Sequence, residues 1–89
     1  MGIYIKDPEA VLSYGFDWAD WLQDGDSIIS STWTSDEGIT LDAGVLDGTI
    51  ATVGVSGGEH KSNYVITNHV ITNFGMEDDR SHTLKVRHR

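Results

Sequence analysis

The sequence has no cysteine, one proline, and only six lysines and arginines against fourteen aspartates and glutamates. Each shortage excludes something. Without cysteine there is no disulfide framework and no thiolate metal site. A chain of 89 residues lacking such staples is held by its core alone or by partners. A domain of this size buries only about 60–65% of the surface its unfolded chain exposes, so it has one modest core and little room for a deep pocket. No apolar run approaches the roughly 18 residues of a membrane helix. "MGIYI", followed by Asp7-Pro8-Glu9, is too short for a secretory signal. These features predict a soluble protein made in a cytoplasm, with no membrane partner.

The scarcity of bases is uneven. Residues 1–59 hold eleven acids against Lys6 alone, whereas residues 60–89 hold five bases and three acids. The acidic body disfavours direct nucleic-acid binding, because its long-range field repels phosphates. Arg80, Lys85, Arg87 and Arg89 stand in the last ten residues with no acid among them. They suit docking on an acidic surface, including the acidic half of a neighbouring copy, or equally an edge strand whose charges prevent aggregation.

What is present is an all-β pattern. Tyr14 and Phe16, after Leu12, alternate with Ser13, Gly15 and Asp17, a period of two that gives a strand one apolar face. "DSIISSTWT" places Ile29, Ser31 and Trp33 on one face and Ile28, Ser30 and Thr32 on the other. "GITLDAG" offers Ile39 and Leu41, and "TIATVGVSGG" groups Ala51, Val53 and Val55. "NYVITNHVITN" aligns Tyr64, Ile66, Asn68 and Val70, and "RSHTLKVRHR" aligns Leu84 and Val86. Turn signals at Asp24-Gly25, Asp36-Glu37-Gly38, Asp47-Gly48, Gly57-Gly58 and Asn73-Phe74-Gly75 separate these runs. Six or seven short strands at this spacing predict a small immunoglobulin-like β-sandwich over residues 11–89. Residues 1–10 lack a core pattern and contain Pro8, so they read as an extended arm. The one helical candidate is "DWADWL", where a single turn would bring Trp18, Trp21 and Leu22 to one side as a plug over the open end of the sandwich. Trp33 reads as the central core aromatic. Tyr64, at the start of the longest run, reads as a corner tyrosine bonding back to the preceding loop.

Candidate sites are sparse. Asp17, Asp20, Asp24 and Asp26 offer oxygens for a hard cation, but no EF-hand spacing joins them; capping at Asp17 and a turn at Asp24-Gly25-Asp26 use the same residues structurally. His60, His69, His82 and His88 are scattered, although His69 and His82 could meet across adjacent strands. No GxSxG, HExxH or P-loop is present. Trp18 and Trp21 could form a sugar-stacking platform, but a chain this small needs such side chains in its core. The residues therefore designate no catalytic group, no metal site and no cofactor.

The order of motifs carries more. "KDPEAVLSYGFDWADWLQDGDSI", "STWT", "ATVGVSGG", "YVITNHVITN" and the terminal "RSHTLKVR" together resemble a family of small tailed-bacteriophage virion proteins, the fibre–tail adaptors and related head–tail accessory proteins. The resemblance runs from Lys6 to Arg87. The sequence departs from the family pattern at Ser27, where threonine is usual, and in "NFGMEDDRS". The resemblance implies a non-enzymatic structural protein of the virion, present in many copies, synthesised in the host cytoplasm and bound to other tail, fibre or capsid proteins. On that basis the arm, with Ile3, Tyr4 and Ile5, and the basic last strand, with Arg80, Lys85, Arg87 and Arg89, are the expected partner-binding residues. Trp18, Trp21, Trp33 and Tyr64 are the expected structural ones. A capsid decoration protein and a carbohydrate-binding module are the other functions to be weighed.

Overall fold

The computed structural model describes residues 2–87. Its eight strands are β1 (Gly2–Lys6), β2 (Leu12–Asp17), β3 (Ile28–Ser35), β4 (Ile39–Leu41), β5 (Val45–Asp47), β6 (Ile50–Gly57), β7 (Asn63–Thr72) and β8 (Glu77–Val86). They form two facing sheets, one in the order β1-β8-β7-β3 and the other in the order β2-β6-β4, with β5 also paired to β6. All pairings are antiparallel except β1 with β8. There is no helix among the described residues. "DWADWL" makes one hydrogen-bonded turn, in which the Trp18 carbonyl accepts the N–H of Trp21 (3.0 Å) and of Leu22 (3.2 Å).

The core is the inward faces that period-two alternation selects. Tyr14, Val53, Val55, Ile66 and Leu84 pack together in one cluster. Trp18, Ile28, Ala51 and Val70 form a second. Trp33 packs against both, and Phe16 stacks on it at 6.0 Å between ring centroids. Tyr64 lies in the core and its hydroxyl accepts the Glu59 N–H at 3.1 Å, tying the long β7 to the loop before it. The turn opposite is fitted to that ring: a Cβ on Gly38, whose φ is +108°, would come within 2.7 Å of it.

The eight strands exceed the six or seven that alternation suggests, and four readings change. Gly2–Lys6, read from the sequence as part of an extended arm without a core pattern, is an edge strand hydrogen-bonded to β8. "GIYIK" is apolar on both faces, so it carries no alternation signal. β8 starts at Glu77, three residues before the "RSHTLKVRHR" run, because His69 on β7 bridges the carboxylates of Glu77 and Asp79 that would otherwise repel one another. Ile29 does not share a face with Trp33. A β-bulge between Ile28 and Ser30 resets the phase, burying Ile28 and leaving Ile29 62% exposed. The same register places His69 opposite Asp79 and His82 opposite Ile66, so the two histidines do not meet.

Candidate docking surface

Several acids of the chain are fastened to backbone. Asp17 Oδ1 accepts the Ala19 N–H (2.9 Å) and the Thr49 hydroxyl (2.8 Å). Asp42 Oδ1 accepts the N–H groups of Gly44 (2.8 Å) and Gly54 (3.0 Å), bridging the break between β4 and β5. Asp26 Oδ1 accepts Ser27 (2.8 Å) and Phe74 (3.0 Å). The Ala19 amide, helped by Thr49, holds the Asp17 carboxyl below the ordinary value of 3.8, and the Gly54 and Gly44 amides do the same for Asp42. The Asp79 and Glu77 carboxylates raise His69 above its ordinary 6.5. No group of three or more His, Asp or Glu side chains suited to a metal ion occurs among the described residues.

These shifts set a pH profile. A carboxyl depressed in the fold stabilises it above the unfolded value and loses that contribution as pH falls through the folded one. A histidine raised in the fold stabilises it below 6.5 and loses that contribution as pH rises through the folded value. Thermal melts across the pH range are therefore expected to decline on the acid side from Asp17 and Asp42, and above pH 6.5 from His69. His69→Gln should flatten the upper limb and leave the acid limb in place.

A run of exposed apolar side chains lies along β1. The parallel register sets Ile3 beside Thr83, Ile5 beside Lys85 and Lys6 beside Val86. Residues from the two ends of the chain thus share one edge. Ile3 is 65% and Ile5 55% exposed, and Val65, which pairs with Thr83 from the other side, is also exposed. Tyr4 leans over its neighbours, with its ring 4.8 Å from His82 and 5.2 Å from Tyr14, yet stays 42% exposed. The Lys6 carbonyl accepts the Arg87 N–H at 2.9 Å, so Lys6 belongs to the bonded set of the ladder. N–H and C=O groups point alternately to the two sides of a strand. Those of Ile3 and Ile5 therefore face away from β8, on the side where β1 has no neighbouring strand among the described residues.

Not every basic residue expected here belongs to this surface. Lys85 is exposed beside Ile5. Arg87 adjoins it, but its guanidinium donates to the carbonyls of Val86 (2.7 Å) and Ser62 (3.4 Å) and to Asn63 Oδ1 (3.4 Å). Arg80 is elsewhere: its guanidinium carbon lies 4.2 Å over the Trp18 ring, and it donates to the Asp17 carbonyl at 3.1 Å. Arg89 lies outside the described residues. The sequence reading missed Lys6, which is fully buried with Nζ donating to the carbonyls of Gly57 (2.7 Å) and Asp7 (2.9 Å). A lone lysine before Asp-Pro carries no signal of burial. Trp18 is fully buried and bonded by Nε1 to Asn68 Oδ1 (2.9 Å), so Trp18 and Trp21 do not make an exposed two-ring sugar platform.

This two-sheet, all-β sandwich is an immunoglobulin-like domain, and it is similar to the solution structure of the PKD domain from KIAA 1837 protein. That alignment has 25% identity, covers 86% of this chain and 72% of that one, and reaches a TM-score of 0.55. The model of the podophage GP4 fiber-tail adaptor protein gp77 family matches residues 6–85, and the chain belongs to this family. It is thus a phage virion component of the fibre–tail adaptor type. No curated protein matches the chain significantly.

Proposed function

We propose that the chain joins other virion proteins by binding alone, without catalysis, and that it docks through the β1 edge and the end of β8. The outward N–H and C=O groups of Ile3 and Ile5 carry this reading. They suit strand addition by a partner, a mode in which main-chain bonds supply affinity and alternate side chains supply specificity. Natural sheets usually protect an open edge with charge, proline or a covering element. "GIYI" has none of the first two, which fits an edge covered in the assembled particle. Ile3, Ile5 and Tyr4 would supply apolar contact, while Lys85, with Arg87 and Arg89 nearby in sequence, would engage acidic partner groups. The partners are tail or fibre proteins, and the chain is present in several copies in a symmetric assembly.

The test is Ile5→Pro. The Ile5 N–H takes no part in the β1–β8 ladder, and proline is tolerated on an edge where no ladder donor is lost. The variant is expected to fold, by circular dichroism and thermal melt, but to be missing from particles purified after complementation. Incorporation at the wild-type level sinks the edge. Quantifying the wild-type chain against the major capsid protein tests the joint itself: a small fraction of the capsid copy number supports it, and near-equal amounts point to capsid decoration instead.

A further inference from the structure

A second surface lies at the end of the sandwich built from the 18–26 segment and the β7–β8 hairpin. Trp21, Leu22, Gln23, Asp26, Met76 and Glu77 line a cavity of about 280 Å³ there. Its wall is apolar on the side of Trp21, Leu22 and Met76, and Met76 remains 44% exposed. Its rim is acidic. Asp26 and Glu77 line it, and Asp24 and Asp78 adjoin them in the sequence. Glu77 gives Oε1 to His69 Nε2 at 3.0 Å, which leaves Oε2 for another donor. The nearby cation, Arg80, is spent on Trp18 and Asp17.

We propose that this cavity binds an arginine side chain from a partner protein, carried on a segment with a neighbouring apolar residue. The chain already makes one such contact internally: Arg80 lies over the Trp18 ring and donates to a carbonyl beside it. Trp21 stands edge-on to Trp18 at 5.1 Å, so its ring is braced by a buried neighbour. A second guanidinium on Trp21 would meet the same kind of aromatic surface with Glu77 Oε2 as its acceptor, while Asp26, whose Oδ1 is held by Ser27 and Phe74, adds negative charge to the rim. Arginine fits better than lysine because its planar group both stacks on indole and forks to carboxylates. The stem would pack on Leu22 and Met76. The formal charge of −8 draws basic segments toward the chain. A contact here is separate from the β1 edge, and a joint needs two surfaces.

The experiment uses the full chain, isotope-labelled and followed by nuclear magnetic resonance. The probe is acetyl-Gly-Leu-Arg-Gly-amide, compared with the same peptide carrying neutral citrulline in place of arginine. Saturable shifts are expected at the Trp21 indole N–H, Leu22, Met76 and Glu77, with a dissociation constant on the order of 1 mM, and weakening of about tenfold for the citrulline peptide. Met76→Ser, on the exposed hairpin, should weaken binding while leaving the melting temperature near wild type; Glu77→Gln should weaken binding as well, with a small drop in melting temperature from its lost charge beside His69. Any of three results overturns the proposal: no shifts at about 10 mM peptide, equal binding of the citrulline peptide, or shifts centred away from these residues. Stronger binding of cellohexaose than of the arginine peptide would overturn it in favour of a sugar ligand.

Discussion

Trp18→Ala is expected to lower the stability of the fold by about 3–5 kcal/mol, the usual cost of emptying a fully buried aromatic site. The indole is 0% exposed and sits in the cluster with Ile28, Ala51 and Val70. Its removal also breaks a polar chain. Trp18 Nε1 donates to Asn68 Oδ1 at 2.9 Å, and Asn68 Nδ2 donates to Ser31 Oγ (2.9 Å) and the Thr32 carbonyl (3.0 Å). Asn68 is fully buried, so an unpaired Oδ1 would add about 1–3 kcal/mol. Trp18→Phe separates the two effects, because it keeps most of the volume and loses the donor. Chemical denaturation should rank the chains as wild type, then Trp18→Phe, then Trp18→Ala. A chain of this size has about 5–15 kcal/mol in total, so Trp18→Ala removes a large fraction. An unchanged midpoint in Trp18→Ala would mean that the "DWADWL" turn is peripheral to the fold.

Lys6→Ala is expected to cost about 2–4 kcal/mol through a lost buried stem and the loss of the ammonium's bonds to two carbonyls, of which that of Asp7 keeps the Ala10 N–H. Nζ joins the end of β1 to Gly57 at the end of β6, so this one side chain ties the two sheets together. Lys6→Met should cost less than Lys6→Ala, since it refills the stem volume and also removes a buried charge. The pH dependence has a definite sign. Burial holds the Lys6 ammonium below the ordinary lysine value of 10.5, against the pull of Asp7. A base depressed in the fold penalises folding while it is charged, and the penalty fades as pH rises through the folded value toward the unfolded one. Between neutrality and about pH 10 the wild type should therefore gain stability relative to Lys6→Met. The opposite slope in paired denaturation curves would contradict the buried ammonium.

Much of the fold is legible locally. The faces of β6 and β7 follow from alternation alone, and Ala51, Val53, Val55, Ile66 and Val70 are buried in the structure. The failures are local too, and each has a cause. β1 has no polar alternation to betray it. The bulge at Ile28/Ser30 inserts one residue and so reverses the expected face of Ile29. Glu77 and Asp79 look like loop until His69 is placed between them. Of the residues expected to bind partners, Ile3, Tyr4, Ile5 and Lys85 come together along the β1–β8 pairing on which the proposed docking surface rests, while Arg80, drawn from the same basic run, is packed on Trp18.

By itself the sequence determined the class of fold and the family, because both rest on short-range patterns: two-residue alternation, turn residues, and an order of motifs along the chain. Only the tertiary structure decided that the two ends form one edge. The Ile5–Lys85 pairing joins residues about eighty positions apart. No local pattern encodes such a register, since it is set by sheets closing over a shared core and by the inward choice of Lys6. That choice turns the main-chain groups of Ile3 and Ile5 outward to the open edge.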